Sequence, residues 1–137
     1  HVEHVLRPAL AAGEIVLCDR YNDSTRVYQG LVGGVPSEAI EGLNNLACGG
    51  LVPDLTILLD LDVADGLRRA DGRDSSENRF ESKGLTFHHN VRAAFLSLAE
   101  ASPRRFAVID AARDAKAIHD DIVDIISPRL ISAGVTV

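Results

Sequence analysis

An acidic and a basic side chain stand next to each other after a short apolar run. The run covers residues 15–18, and Asp19 and Arg20 follow it directly. In open α/β sheets, ligands bind just outside the carboxyl ends of the strands. A guanidinium there is suited to two-pronged binding of a phosphate group, and an adjacent carboxylate can hold that arginine or the water shell of a Mg²⁺ ion. The pair therefore predicts a phosphate site where a strand over residues 14–19 ends.

Carboxylates also end the two other predicted strands. Asp60 and Asp62 follow one apolar run, and Asp110 ends another that begins at Phe106. Parallel strands would bring these groups and the Asp–Arg pair to one rim of the sheet. Aspartate is also a common N-cap, so we expect Asp62 and Asp110 to cap the helices that follow them.

Arginines are concentrated in a polar, glycine-bearing stretch over residues 68–81. They are Arg68, Arg69, Arg73 and Arg79. Composition alone favours a solvated surface loop. The functional alternative is a lid, because phosphoryl transfer requires positive charge on the transferring group and exclusion of water, and arginines on a closing loop provide both.

The elements that must position these side chains alternate between helix and strand. Strands are predicted over 14–19, 55–60 and 106–110, and helices over 2–12, 37–48, 63–70, 85–101 and 115–130, with Ser37 as an N-cap and Pro128 as an early stop signal. The alternation predicts one α/β domain over residues 1–137 with a parallel sheet. Three strands are few for such a sheet, which usually has four to six or so.

Composition limits the classes of function. The chain has 137 residues and a net charge of −6, which argues against a nucleic-acid-binding module. No apolar run approaches the roughly 20 residues of a membrane span, and the charged start is unlike a signal peptide, so we expect a cytoplasmic protein without a membrane partner. Cys18 and Cys48 are expected to be buried, unpaired thiols. The chain contains no methionine, so we expect a processed product, a fragment or part of something longer.

The motifs, taken in order, resemble bacterial thymidylate kinase (dTMP kinase). They are DRYNDSTRVYQG (19–30), GGLVPDLTILLDLDVADGLRRA (49–70), NRFE (78–81), FHHNVRAAFLSLA (87–99) and VIDA (108–111). The resemblance extends roughly from His1 to Leu130. It implies a P-loop-NTPase-like α/β fold, a parallel sheet with flanking helices, here lacking the N-terminal P-loop strand. It also implies a homodimer that transfers the γ-phosphoryl group of ATP, with Mg²⁺, to dTMP, giving dTDP and ADP.

The resemblance assigns the acceptor site to the first motif. Arg20 would clamp the phosphate of dTMP, and Asp19 would help to order Mg²⁺ and its waters. Ser24, Tyr28 and Gln29 match the stretch that lines the dTMP pocket. The expected catalytic residues are Asp19, Arg20 and Arg73.

The resemblance assigns ATP to a lid over about residues 71–84 and to the loop 111–114. The ATP-binding residues are Arg69, Arg73, Arg79 and, in the loop beside the adenine, Arg113. Glu81 falls near the sugar of dTMP. Positioning and electrostatics carry such a reaction, and no covalent enzyme intermediate is expected.

The sequence also departs from the family pattern. The phosphate-binding motif G-x-x-x-x-G-K-[ST] is absent, and Gly33 stands where the family has an arginine. In the family the P-loop strand lies between the strands matching 14–19 and 55–60. We therefore expect that gap to be filled by upstream residues, another chain or a rearrangement.

Two alternatives stay open at this stage. Residues that read thymine lie upstream in the family, so a related nucleotide or deoxynucleoside kinase with another acceptor fits the same motifs. The chain is also compatible with an inactive fragment or a degenerate structural module without an ATP site. A substrate panel separates the first alternative from dTMP kinase, and failure to bind ATP would favour the second.

Overall fold

The computed structural model describes residues 1–71 and 84–135. It divides into two compact units, His1–Pro53 and Asp54–Val137. Each unit has its own helices, and the second also has the sheet. A single domain over residues 1–137 stays a prediction. None of the described helices is long and apolar enough to cross a membrane.

The first unit is helical. Its helices are α1, π-helical over Val2–Leu6 and α-helical over Arg7–Ala11; α2, α-helical over Asn22–Thr25 and π-helical over Arg26–Leu31; and α3, Ser37–Cys48. Helices α1 and α3 lie where the apolar spacing predicts them. Helix α2 falls in a polar and aromatic stretch for which the sequence pattern predicts no element. The buried apolar residues of this unit are Val2, Leu6, Val27, Ile40 and Cys48.

Helix α1 is fastened to the carboxyl end of α3. Arg7 Nη2 donates to the carbonyl oxygen of Gly49 at 2.8 Å, and Arg7 Nε donates to Glu3 at 2.8 Å. Gly49 ends α3 in the left-handed conformation, with φ of +56°. A Cβ atom on Gly49 would lie 2.7 Å from the Arg7 guanidinium. Both the backbone conformation and the approach of Arg7 therefore favour glycine at this helix end.

The strand predicted over residues 14–19 is absent, and that prediction is wrong. The segment is irregular, and the amides of residues 15–18 donate no backbone hydrogen bond to any described residue. Ile15 is 64% exposed and Leu17 is 97% exposed. A strand exists only when a neighbouring strand pairs with its backbone, and the two described strands pair with each other. Cys18 is exposed in this segment, so its predicted burial is also wrong, whereas Cys48 is buried as expected.

The second unit contains the sheet. Its elements are β1 (Thr56–Asp60), α4 (Val63–Asp71), α5 (Leu85–Ala101), β2 (Phe106–Asp110) and α6 (Ala115–Ser132). Strands β1 and β2 are parallel, and Asp60 is paired with Asp110 in the register. The two strand-end carboxylates thus lie side by side at one edge, as the sequence predicts for parallel strands. The core residues include Val63, Ala99, Phe106, Ile109 and Ala111.

Aspartates cap two helices, one of them as predicted. Asp62 Oδ1 accepts from the amide of Ala64 at 3.0 Å and caps α4. Asp110 does not cap α6, contrary to expectation. Its Oδ1 accepts from the amide of Ala112 at 2.8 Å and closes a turn. Asp114 is the cap of α6, because it is the residue adjacent to the first turn and accepts from two amides there at 3.0 Å.

Two other predicted helix signals are not realised. Ser37 is the first residue of α3 rather than its cap, and Pro36 occupies the cap position without a side-chain hydrogen bond. Pro128 lies inside α6, which continues to Ser132. Proline removes a single helical hydrogen bond and commonly bends a helix rather than ending it when flanking turns are well paired.

Candidate active site

The backbone of Arg20 is held in an unusual conformation. Its φ is +61°, in the left-handed region that residues other than glycine seldom adopt. The Arg20 carbonyl accepts from Cys18 Sγ at 3.3 Å, and the guanidinium carbon lies 5.6 Å from the centroid of the Tyr28 ring. Backbone strain of this kind persists where the surrounding structure enforces it, often at functional sites. The strained turn brings together two of the predicted dTMP-binding residues, Arg20 and Tyr28.

The other residues predicted to bind dTMP lie on α2. Ser24 and Tyr28 are four residues apart, so they lie on the same side of the helix, one turn from each other. Both are partly buried, whereas Gln29 is exposed. Asp19 and Arg20 are also exposed. The structure therefore places a guanidinium, a hydroxyl and a phenol on an accessible surface of the first unit, and this grouping suits a phosphorylated ligand with an aromatic base.

The turn before α2 is anchored from below by Tyr21. Its hydroxyl donates to the carbonyl oxygen of Leu51 at 3.2 Å. Burial, and then a hydrogen bond to Cys48, raise the pKa of Tyr21 to about 12. The phenol therefore stays protonated and keeps its hydrogen-bond donor over the whole physiological pH range.

A three-residue ion-pair network links α2 to α3, and sequence reasoning missed it. Arg26 Nε and Nη2 donate to Glu41 Oε1 and Oε2 at 2.6 and 2.7 Å, and Nη1 donates to Asp23 Oδ1 at 3.1 Å. The hydrogen bonds from Arg26 hold the pKa of Glu41 below its usual range, and those to Glu41 raise the pKa of Arg26. No local motif signals this pairing, because the partners lie 15 residues apart.

A second ion-pair cluster lies at the end of β1. Arg92 of α5 donates from Nε to Asp60 Oδ1 at 2.7 Å and from Nη2 to Oδ2 at 2.9 Å. Its Nη1 lies 3.6 Å from Asp62 Oδ2. The hydrogen bonds from Arg92 hold the pKa of Asp60 below its usual range. Sequence reasoning missed Arg92 although it lies in one of the quoted motifs. The cluster forms the polar end of a cavity of about 300 Å³ whose walls include Leu67, Val91 and Phe95.

The structure brings two predicted parts of the ATP site together. Arg69 of α4 donates from Nη1 to the carbonyl oxygen of Ala111 at 2.9 Å and from Nη2 to that of Ala112 at 3.3 Å. These carbonyls belong to the loop that the resemblance places beside the adenine. Arg113 of the same loop forms an ion pair with Asp121 of α6, and its Nε donates to the carbonyl oxygen of Asp110 at 3.4 Å.

Several predicted residues lie outside the described part of the chain. They are Arg73, Arg79 and Glu81, together with most of the lid predicted over residues 71–84. Their roles stay predictions.

The donor groups fit a Mg²⁺ ion that is held mainly by phosphates. Within residues 1–71 and 84–135, no group of three or more metal-ligating side chains occurs. Mg²⁺ in phosphoryl-transfer sites keeps several waters and is held by one or two carboxylates together with the substrate phosphates. The exposed Asp19 carboxylate beside Arg20 can supply such a contact, whereas Asp60 is engaged by Arg92.

Comparison with known proteins decides the family. Residues 1–122 match the sequence profile of the family described as thymidylate kinase. The chain belongs to the thymidylate kinase family. The match confirms the family that the DRY, PDLT and VIDA motifs indicate, and with it the class of nucleoside-monophosphate kinases, which are transferases of nucleotide biosynthesis.

Curated thymidylate kinases resemble nearly the whole chain. The protein of Solidesulfovibrio magneticus is 48% identical over 136 residues, covering 95% of this chain and 65% of that protein. That of Desulfovibrio desulfuricans is 52% identical over 119 residues, covering 82% and 55%. That of Caulobacter vibrioides is 48% identical over 130 residues, covering 95% and 62%. The chain thus spans about three fifths of the length of these relatives and matches a C-terminal portion of a thymidylate kinase.

A solved structure shows the same fold. The crystal structure of thymidylate kinase from Ehrlichia chaffeensis superposes with a TM-score of 0.69 at 27% identity, over 93% of this chain and 58% of that one. The small parallel sheet with flanking helices is therefore a truncated P-loop-NTPase-like α/β fold, as the thymidylate kinase resemblance implies.

Proposed function

We propose that the protein transfers the γ-phosphoryl group of ATP to dTMP and forms dTDP and ADP. The observation that carries the proposal is the Arg20 guanidinium, which a left-handed backbone holds over the Tyr28 ring within the segment that matches the family profile. The bond between the γ-phosphorus and the bridging oxygen of ATP breaks. A new bond forms between that phosphorus and an oxygen of the dTMP phosphate, and ADP leaves.

In this proposal the first unit binds the phosphoryl acceptor. Arg20 donates two parallel hydrogen bonds to the dTMP phosphate and withdraws negative charge from it as the bond forms. Ser24, Tyr28 and Gln29 line the pocket for the nucleoside. Asp19 holds waters of the Mg²⁺ ion. When bound, that ion neutralises charge on the phosphates of ATP.

The second unit is proposed to contact ATP. Arg69 holds the loop 111–114 by its two carbonyl hydrogen bonds, and this fixes the edge of the site beside the adenine. Arg113 belongs to the same loop. Arg73 and Arg79, and Glu81 for dTMP, are proposed contacts that rest on the resemblance alone.

The assembly and compartment are also proposals. The resemblance implies a homodimer, and a nucleotide kinase that consumes ATP is expected to work in the cytoplasm. Among the alternatives, a kinase with another acceptor shares the phosphate-binding residues of dTMP kinase. An inactive module would keep the same fold. A turnover assay with several acceptors distinguishes all three.

The test is a turnover assay with the protein expressed from its complete natural gene. ATP, Mg²⁺ and one of dTMP, dUMP, dCMP, dAMP or dGMP are supplied, and formation of ADP and of the nucleoside diphosphate is measured. We expect dTMP to be the preferred acceptor and EDTA to abolish turnover until Mg²⁺ is restored. A different preferred acceptor would establish the alternative kinase, and no turnover with any acceptor would establish the inactive module.

Arg69→Ala is expected to raise the KM for ATP by about tenfold and to leave the KM for dTMP unchanged. The loss of two hydrogen bonds frees the loop 111–114 from α4, and a charged hydrogen bond contributes about 1.5–3 kcal/mol. Steady-state kinetics with each substrate varied in turn measures the effect. The matched control is Arg68→Ala, because Arg68 is the neighbouring, exposed arginine and pairs only with Asp65 of its own helix. An unchanged KM for ATP in Arg69→Ala would contradict the assignment.

A further inference from the structure

Arg26 occupies a particular position relative to the proposed dTMP pocket. It lies on α2 midway between Ser24 and Tyr28, two residues from each. Side chains two residues apart on a helix point to opposite sides. Arg26 therefore projects from the side of α2 opposite to the two pocket residues, towards α3.

The contacts of Arg26 are those of a fixed clamp. Both oxygens of the Glu41 carboxylate accept from the guanidinium, at 2.6 and 2.7 Å, and Asp23 accepts a third hydrogen bond at 3.1 Å. The Arg26 and Asp23 side chains are 23% and 8% exposed. A planar two-pronged pair sets the distance and also the angle between the elements that it joins. Helix α2 is thereby locked on α3.

We propose that Arg26 is a positioning residue of the dTMP site. By clamping α2 to α3 it sets the direction in which Ser24 and Tyr28 face the acceptor nucleotide. Nothing in the family motif assigns a role to this position, and the inference rests on the proposed function. Val27, fully buried next to Arg26, gives α2 its apolar contact. Apolar contact is not directional, so the ion pairs are needed to fix the rotation of the helix.

The expected kinetic signature is confined to one substrate. A misplacement of about 1 Å in a substrate-positioning group can reduce a rate a hundredfold. Because Arg26 does not touch the acceptor, we expect a smaller effect, with Arg26→Ala raising the KM for dTMP on the order of tenfold. The KM for ATP should not change. Arg26→Lys keeps the charge but loses the two-pronged geometry, so its KM for dTMP should lie between those of wild type and Arg26→Ala.

The experiment compares five proteins expressed from the complete natural gene. They are the wild type, Arg26→Ala, Arg26→Lys, Glu41→Gln and the double variant Arg26→Ala/Glu41→Gln. The double variant should be no worse than Arg26→Ala, because both changes break the same clamp. The matched control is Arg7→Ala, because Arg7 also joins two helices of this unit but contacts only Glu3 and the end of α3. It should lower the melting temperature and leave the KM for dTMP unchanged.

Each outcome decides the matter. A rise in the KM for dTMP in the Arg26 and Glu41 variants, without a rise in Arg7→Ala, supports the inference. Wild-type turnover of dTMP with an unchanged KM in Arg26→Ala would overturn the inference alone. An equal rise in Arg7→Ala would also overturn it, because the effect would then be a general loosening of the unit. Absence of dTMP turnover in the wild type would overturn the proposed function and, with it, this inference.

Discussion

Replacing Arg20 with alanine is expected to reduce kcat/KM for dTMP on the order of 10²- to 10³-fold. The guanidinium is proposed to hold the accepting phosphate, and its charge matters most as the new bond forms. The substitution is clean with respect to the backbone, because arginine and alanine bear the same strain at a φ of +61°. Steady-state kinetics with dTMP as the varied substrate measures the effect.

Two further variants define the origin of that loss. Arg20→Lys keeps a positive charge without the planar fork and should recover only part of the activity. Arg104→Ala removes an exposed arginine on the second unit and should leave turnover unchanged. Wild-type activity in Arg20→Ala would mean that the phosphate clamp has been assigned to the wrong residue.

Replacing Arg92 with alanine is expected to lower the melting temperature at pH 7 on the order of 5 °C. Arg92 joins α5 to the end of β1 through two hydrogen bonds to Asp60, at 2.7 and 2.9 Å. Without it, the Asp60 carboxylate is left partly buried and without its counter-charge. The effect is smaller than for a fully buried pair, because the Arg92 and Asp60 side chains are 35% and 23% exposed.

The pH dependence of the Arg92 effect has a definite sign. The guanidinium lowers the pKa of Asp60 in the folded protein, so the stabilisation is present above the unfolded pKa of about 3.9 and is lost as the pH falls through the lowered value. The difference in melting temperature between wild type and Arg92→Ala should be full at about pH 5–7 and narrow in stronger acid. Arg68→Ala, at an exposed ion pair within α4, serves as the control and should change little at any pH. A wild-type melting temperature in Arg92→Ala throughout this range would contradict the prediction.

The sequence predicts those elements whose signal is local. Strand β2 and helix α5 have the predicted bounds because each is a sharply delimited apolar pattern, one continuous and one helical. Strand β1 and helix α4 differ from prediction by one residue at one end. The end of α3 at a glycine pair was similarly predictable, since few other residues adopt a left-handed conformation cheaply.

Other features depend on partners far along the chain. Residues 14–19 have the composition of a buried strand, but pairing is a property of two segments and cannot be read from one. Helix α2 follows a strained turn and begins without a side-chain cap, so none of the usual start signals is present. The choice of Asp114 over Asp110 as the cap of α6 depends on where the turn places the first helical amide.

The candidate site shows the same division. Arg20, Ser24 and Tyr28 follow from one contiguous motif, and the structure brings Arg20 to Tyr28. Arg26 and Arg92 could not be inferred, because their carboxylate partners lie 15 and 32 residues away. Charged residues on helices are usually solvated, and only the folded arrangement shows which of them are clamped.

The exposed segment 15–18 also bears on how the chain behaves at high concentration. Short apolar stretches of high β-propensity with unpaired backbone groups readily pair with copies of themselves in intermolecular sheets. Ile15 and Leu17 are such side chains, and they contain no charge that would interrupt stacking. Glu14 and Asp19 flank them on either side, and like charges brought into register between stacked copies repel one another. These two carboxylates therefore act as gatekeepers against self-association, a protection that weakens in strong acid and at high ionic strength.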